Sequence, residues 1–506
     1  MPNFIVNITY MCYNLGMILG MRRSTYMGAY SVPESIRQLK PKGTMVKNIS
    51  GHYYVYEYSN YTDENGKRHT KMGRSIGSIR EGIGFIPNNT FACDSDISTL
   101  DFGEYAITMA NSTKTLSLLK ECFNPQDAVT IYTVALIHFI QGFTYLKDIK
   151  SYYDMSVLSL KYPSLKLGYE SLSKLYDTLG RRQTGVLKLE EKLISECSHQ
   201  IAIDGHVIGC ESTENDLAEK GYKFKKLGEA QLNLLMAYDV NTHTPLMSRI
   251  YEGASNDKVS VRDFLNQIEL KDMLFIVDRG FYSTENINLF SSNGNEYIIP
   301  LGKNLNTCKQ AVHSLEMHDR FMYQKGKKAS VVEYKDEIID GYRVITYRDL
   351  NESAAEQENY LRHMTKGDKS YTKEGFERAK YFMGVIVLQT SIEDKTPEEI
   401  YTLFKERWTI ETFYNYFKNK AGYAAIHEED YYKTQGLSFI MLISSLIYHE
   451  MSEAAKVAEG KTLQTCLLEA RMVKANKRHG KWTVCNCLKK QVALFKAFNT
   501  AIQVDA

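Results

Sequence analysis

At 506 residues the chain is too long for one ordinary core, so two to four domains are expected. Its 62 Lys and Arg against 60 Asp and Glu leave a net charge of +2, which excludes a whole-chain field that draws in nucleic acid. Any such affinity must come from local patches. The apolar share of 43% and the charged share of 24% are those of a soluble globular protein. Nine cysteines are scattered without a C-x-x-C pair. That pattern argues for reduced thiols in the cytoplasm and against a structural zinc site.

Residues 4–20 are apolar and uncharged, and Arg22 and Arg23 follow them. A secretory signal carries its basic residues ahead of the apolar run, and Asn7 and Asn14 weaken a membrane span. Residues 1–30 are therefore read as an over-extended start or a leader, with no membrane partner.

Region 31–112 centres on two strand-like runs around Asn65-Gly66, a β-hairpin signal. Its outgoing strand is aromatic (Tyr53, Tyr54, Tyr56, Tyr58) and its return strand basic (Lys67, Arg68, Lys71, Arg74). Such interleaving fits contact with a DNA backbone, and equally a solvated hairpin with tyrosines on its buried face. Region 113–195 reads as short helices joined by Pro and Gly turns. It permits a helix-turn-helix-like DNA module and equally a plain bundle.

From 196 to 302 the order is three strands, helix, strand, helix, strand, which suits a mixed α/β sheet. The first strand, HQIAIDGHVIG, is apolar but for Asp204, and MLFIV runs directly into Asp278. Region 303–380 is charged and dotted with glycine, and reads as an inserted β-rich domain. Region 381–450 returns to the core, and 451–506 reads as a basic helical tail.

The stretch from Thr396 to Lys418 opens with a capping box, Thr396 to Glu399, and Pro397 at the first helical position. At about 100° per residue, Phe404, Arg407, Glu411 and Lys418 share one face of a single helix. A solvated face with Arg407–Glu411 pairing explains that pattern cheaply. Likewise Asp278 can cap the Arg279-Gly280 turn, and Asp204 can begin a turn with Gly205. The coincidence of all three acids with a cationic helix favours a function. Neighbouring carboxylates repel, and a pair of Mg2+ ions resolves the repulsion while activating a water or a 3′-hydroxyl for phosphodiester chemistry.

The blocks IAIDGHVIG, IVDRGFYS and the helix resemble the DDE transposases of bacterial insertion sequences. The branch is the insertion-sequence-four superfamily, whose third acid lies in a Y-x2-R-x3-E-x6-K helix. Here that motif reads Phe404, Arg407, Glu411 and Lys418, with phenylalanine where the family has tyrosine, and Tyr401 one turn earlier is a stand-in for the missing hydroxyl. The resemblance implies a ribonuclease H-like core of 196–302 and 381–450, interrupted by an insertion. It also implies Mg2+ (or Mn2+ in its place) held by Asp204, Asp278 and Glu411, and phosphates gripped by Arg407 and Lys418. His206 and Arg279 are secondary candidates. The implied activity is Mg2+-dependent cleavage and strand transfer at the ends of an insertion sequence. The partners are double-stranded DNA (terminal inverted repeats and target), with a homodimer in the complex. A catalytically inactive DNA-binding derivative and a related Mg2+-dependent nuclease are the alternatives.

Overall fold

The structure is a computed structural model that describes residues 32–63, 66–88, 98–182, 184–220, 229–313, 316–326, 328–419, 425–458, 460–478 and 480–504. The leader at 1–30 lies outside them. The chain divides into two compact units, Met1–Ser95 and Asp96–Ala506.

The first unit is an antiparallel meander of β1 (Thr44–Ile49), β2 (His52–Thr62), β3 (Arg68–Arg80) and β4 (Gly84–Pro87). The β2–β3 hairpin pairs Tyr53 with Ile79 at one end and Thr62 with Arg68 at the other. Gly66 takes a positive φ of 76° in the turn, a conformation that suits glycine, while Asn65 lies outside the described residues. The core of this unit is small, formed by Ile36, Val55 and Ile79. Tyr54, Tyr58 and Tyr61 are exposed, and Tyr61 stacks on His69 with ring centroids 5.4 Å apart.

The second unit is mixed α/β. A short strand β5 (Ser98–Asp101) precedes a run of helices. The main sheet then forms from β6 (Gln200–Cys210), β7 (Glu219–Lys220), β8 (Ala230–Asp239), β9 (Thr244–Glu252), β10 (Leu274–Val277) and β11 (Glu296–Pro300). It continues with β12 (Asp319–Lys325), β13 (Lys328–Ile339), β14 (Tyr342–Asp349), β15 (Val385–Thr390) and β16 (Ala425–Ile426). The order is β12-β13-β14-β15-β11-β10-β6-β8-β7, with β9 on β8 and β16 on β6. Strand β6 lies between parallel β10 and antiparallel β8. Its alternate residues supply two cores: Ala202 and Ile208 face one, Ile201 and Ile203 the other. A strand covered on both faces reads as the nearly unbroken apolar run seen here.

Two stretches add to the sequence reading. Region 303–380, read as an inserted β-rich domain, carries β12 to β14, which extend the main sheet. Strand β14 pairs with β15 from Arg343–Thr390 to Arg348–Val385, and β13 and β12 follow it outward. The charged, glycine-dotted composition reflects outer strands with one polar face. Region 451–506, expected as helical, also contains β17 (Lys474–Arg478) and β18 (Lys481–Cys485), and β17 pairs back onto β5. Its density of lysine masked the strand pattern.

The helices of 113–195 pack on the long helix Tyr431–Ala455, joining it in one layer against the sheet. Contact with helix Tyr169–Gly180 is backbone to backbone. A Cβ on Gly180 would lie 1.7 Å from the Tyr432 carbonyl oxygen, and one on Gly436 would lie 2.0 Å from that of Tyr176. Only glycine permits so close an approach. The long helix is tied to β9, where the Ile250 N–H donates to Gln435 Oε1, and the Ser248 and Ser438 hydroxyls meet at 2.9 Å. Beside it, Arg249 grips fully buried Glu190 with two bonds of 2.6 Å, and Arg182 adds a third at 2.9 Å. No single helix among the described residues is long and apolar enough to cross a membrane.

His138 is fully buried in helix Pro125–Gln141. Its Nδ1 accepts from the Thr144 N–H at 3.3 Å, and its Nε2 lies 3.2 Å from the Tyr176 hydroxyl. Burial pushes its pKa down to about 4. A depressed histidine contributes stability that is complete above the unfolded value of about 6.5 and lost as pH falls through 4, up to about 3 kcal/mol. His138→Gln is expected to shrink the fall in stability between pH 6.5 and 4, read by urea unfolding at each pH. An unchanged pH slope contradicts the assignment.

Candidate active site

Strands β6 and β10 run parallel, with Ala202 opposite Ile276 and Ile203 opposite Val277. The next residue on each is an aspartate, so Asp204 and Asp278 stand side by side. Ile203 and Val277 belong to the same core. Strand alternation therefore turns both acids to the opposite face, the one covered by Ile410, Phe413 and Tyr414 of helix Trp408–Asn419. Asp204 does not begin a turn, because β6 continues through it to Cys210. Asp278 precedes the single 3-10 turn Arg279–Phe281, and its side chain makes no capping bond there. Neither structural alternative from the sequence describes these two carboxylates.

The stretch expected as one helix is two, Pro397–Glu406 and Trp408–Asn419. The capping box forms: the Thr396 N–H donates to Glu399 Oε2 at 2.7 Å, and the Glu399 N–H to Thr396 Oγ1 at 3.3 Å. The break falls at Arg407, where Arg407 N bonds Phe404 O and Ile410 N bonds Arg407 O, both with 3-10 spacing. Despite the break, Arg407 Nη2 donates to Glu411 Oε1 at 2.8 Å, while Arg407 Nη1 lies 4.0 Å from Asp204 Oδ2. The guanidinium thus links the helical acid to a strand acid. Its Nε is buried without a hydrogen-bond partner.

Burial pushes the Asp204 carboxyl up to about 6. Arg407 opposes that rise, while the charges of Asp278 and Glu411 add to it. The three acids thus share one electrostatic neighbourhood. Asp278, Phe404, Arg407, Trp408 and Glu411 line a single open cleft of about 830 Å3, with Lys303 and Lys328 among its other lining residues. Among the described residues, no three Asp, Glu, His or Cys side chains converge as a metal-binding group. The acids fit a divalent metal in kind, since carboxylate oxygens suit hard cations. The Arg407 guanidinium is the counter-ion of Glu411 and stands close to Asp204.

The other expected residues divide. Arg279 is exposed and lines the cleft. Phe404 is buried, with the Arg407 guanidinium carbon 5.7 Å from its ring. His206 stacks on Tyr414 at 5.1 Å and does not line the cleft, which favours a packing role. Tyr401, the stand-in for the missing tyrosine hydroxyl, lines the same cleft, with its ring packed among Phe321, Tyr323 and Tyr347 at 5.6, 5.1 and 5.0 Å. The Lys418 side chain lies outside the described residues.

Residues 196–447 match the family model described as Transposase DDE domain. Among solved structures the chain is similar to one titled "Cryo-EM structure of piggyBac transposase synaptic complex with hairpin DNA". Identity is 8% over 75% of this chain and 82% of that one, and the TM-score is 0.38, too loose a likeness to argue from. No curated protein matches. The family match supports a DDE transposase.

Sequence reasoning missed three neighbours of the acids. Trp408 is 56% exposed at the cleft, and an exposed tryptophan in a chain with only two was a signal within reach. The Asp257 carboxylate packs beneath the strand, 3.6 Å from where a Cβ on Gly205 would lie; no motif marks it. Tyr414 donates its hydroxyl to the Asp204 carbonyl oxygen at 2.9 Å, just past the last β6 residue paired to β10. Tyr414→Phe is expected to lower stability by about 1 kcal/mol in urea unfolding. An unchanged midpoint contradicts a structural role for that bond.

Proposed function

We propose that this chain is a transposase that binds the ends of its insertion sequence and catalyses Mg2+-dependent DNA cleavage and strand transfer. One observation carries the reading: the pairing of Val277 with Ile203 sets Asp278 beside Asp204, and Arg407 joins the helical Glu411 to that pair. It is supported by the DDE domain match, which implies divalent metal ions. Asp204, Asp278 and Glu411 are the residues to hold them, with Mg2+ the proposed resident and Mn2+ able to replace it. When bound, such ions supply an activated water or 3′-hydroxyl and steady the leaving oxygen.

The remaining roles fall to the chain's own side chains. Arg407 presents a rigid fork of donors suited to a phosphate, backed by the Phe404 ring. Arg279 at the strand end and Lys418 on the helix that carries Glu411 are further phosphate contacts. The core is proposed as ribonuclease H-like: antiparallel β9, β8 and β6, then β10 and β11 added parallel, give a five-strand order consistent with it. In the first unit, exposed Tyr54, Tyr58 and Tyr61 beside Lys71 and Arg68 form a second surface for double-stranded DNA. Terminal inverted repeats and target DNA are the partners, brought together by a homodimer. A DNA-binding derivative without catalysis is the second reading, favoured only by Phe404 in place of tyrosine.

Asp204→Asn and Glu411→Gln are expected to reduce metal-dependent cleavage of the element's own ends to background, while gel-shift affinity for those ends stays within a few-fold of the unmodified protein. Cleavage retained in either variant overturns the assignment. Strand transfer by the unmodified protein excludes the derivative reading.

A further inference from the structure

Arg407 is placed to do more than meet a phosphate. Its guanidinium donates to Glu411 at 2.8 Å and stands 4.0 Å from Asp204, so two of the three proposed metal ligands already have a tethered counter-ion. The side chain is 13% exposed, and the acids are 22% and 32% exposed, so solvent only partly screens the group. A divalent cation taking the same two carboxylates would meet a fixed positive charge in the space it must enter. Consistent with that, no metal-ready cluster exists among the described residues.

The guanidinium is incompletely satisfied, because its Nε is buried without a hydrogen-bond partner. A phosphate is bound through two parallel N–H donors, so taking the guanidinium requires Arg407 Nη2 to leave Glu411. The residue lines the open cleft together with Asp278 and Glu411, so a phosphate has a route to it. Its backbone sits at the helix break, where the 3-10 bonds of Arg407 and Ile410 replace the regular ladder.

On the transposase reading, we infer that Arg407 is a positioning residue: it holds Asp204 and Glu411 in a metal-excluding pair until a DNA phosphate takes the guanidinium. DNA and metal binding are then positively coupled. By linkage, DNA raises metal affinity by the factor by which metal raises DNA affinity.

The test is Mn2+ binding to the full chain, read by electron paramagnetic resonance of the free ion, with and without a short DNA duplex. In the unmodified protein the duplex is expected to tighten Mn2+ binding at least about fivefold. Arg407→Gln should bind Mn2+ more tightly than the unmodified protein without DNA, and lose most of the gain on adding it. Arg407→Lys retains the charge but not the fork, so Mn2+ binding should stay weak without DNA and the gain on adding it should fall. Melting temperatures confirm that the variants fold, and the lysine variant serves should the glutamine one not fold. Mn2+ binding no tighter in folded Arg407→Gln, or a full DNA-induced gain in Arg407→Lys, overturns the inference. Asp204→Asn and Glu411→Gln separate this from the underlying reading: loss of Mn2+ binding in both keeps the metal site, whereas unaltered binding in both removes the site itself.

Discussion

The parallel register between β6 and β10 is the constraint on which this structure depends. It sets Asp204 and Asp278 side by side at the point where β10 ends, on the face that helix Trp408–Asn419 covers. Two like charges placed so close, one of them largely withdrawn from water, are unfavourable without a cation. Burial lifts the Asp204 carboxyl, the charges of Asp278 and Glu411 add to the rise, and Arg407 relieves part of it. A packed core alone would use an apolar residue at either position. The strain is local, and it lies where a cleft opens.

The rest of the fold holds that arrangement in place. Buried Asn286 donates to the Phe281 carbonyl just after Asp278 and to the Lys258 carbonyl of the neighbouring helix, while its own oxygen accepts from Arg262 Nε. The turn behind the acid is thereby clamped to helix Asp257–Leu265. On the other face, the long helix is pressed against β9 and against helix Tyr169–Gly180 through glycine contacts that tolerate no side chain. Strands β12 to β14, although far along the sheet, bring Tyr323, Lys328 and Asp349 to the cleft. A segment that reads as an appendage therefore shapes the site's wall.

Much of this was legible in the sequence because the relevant signals are local. An aspartate inside an apolar strand, another at the end of one, and a capped helix with Arg407 and Glu411 four residues apart each need only a short window. What stayed hidden depends on distant partners. That β14 finds β15, or that β17 returns to β5 across most of the chain, follows from edge pairing that no local pattern encodes. The helix break at Arg407 was equally unreadable, since no Pro or Gly marks it. Tyr401 illustrates the same limit: its spacing allowed a phosphate contact, and tertiary packing assigned it to an aromatic cluster.

We propose that Asp204, Asp278 and Glu411 close around divalent metal once DNA occupies the cleft. The most direct measurement is anomalous scattering from Mn2+ in crystals of the full chain bound to its own element end. The account predicts Mn2+ peaks within coordination distance of all three carboxylates, with the Arg407 guanidinium moved from Glu411 onto a phosphate. Peaks elsewhere in the chain, or a Glu411 still paired to Arg407 beside an occupied metal site, would contradict it.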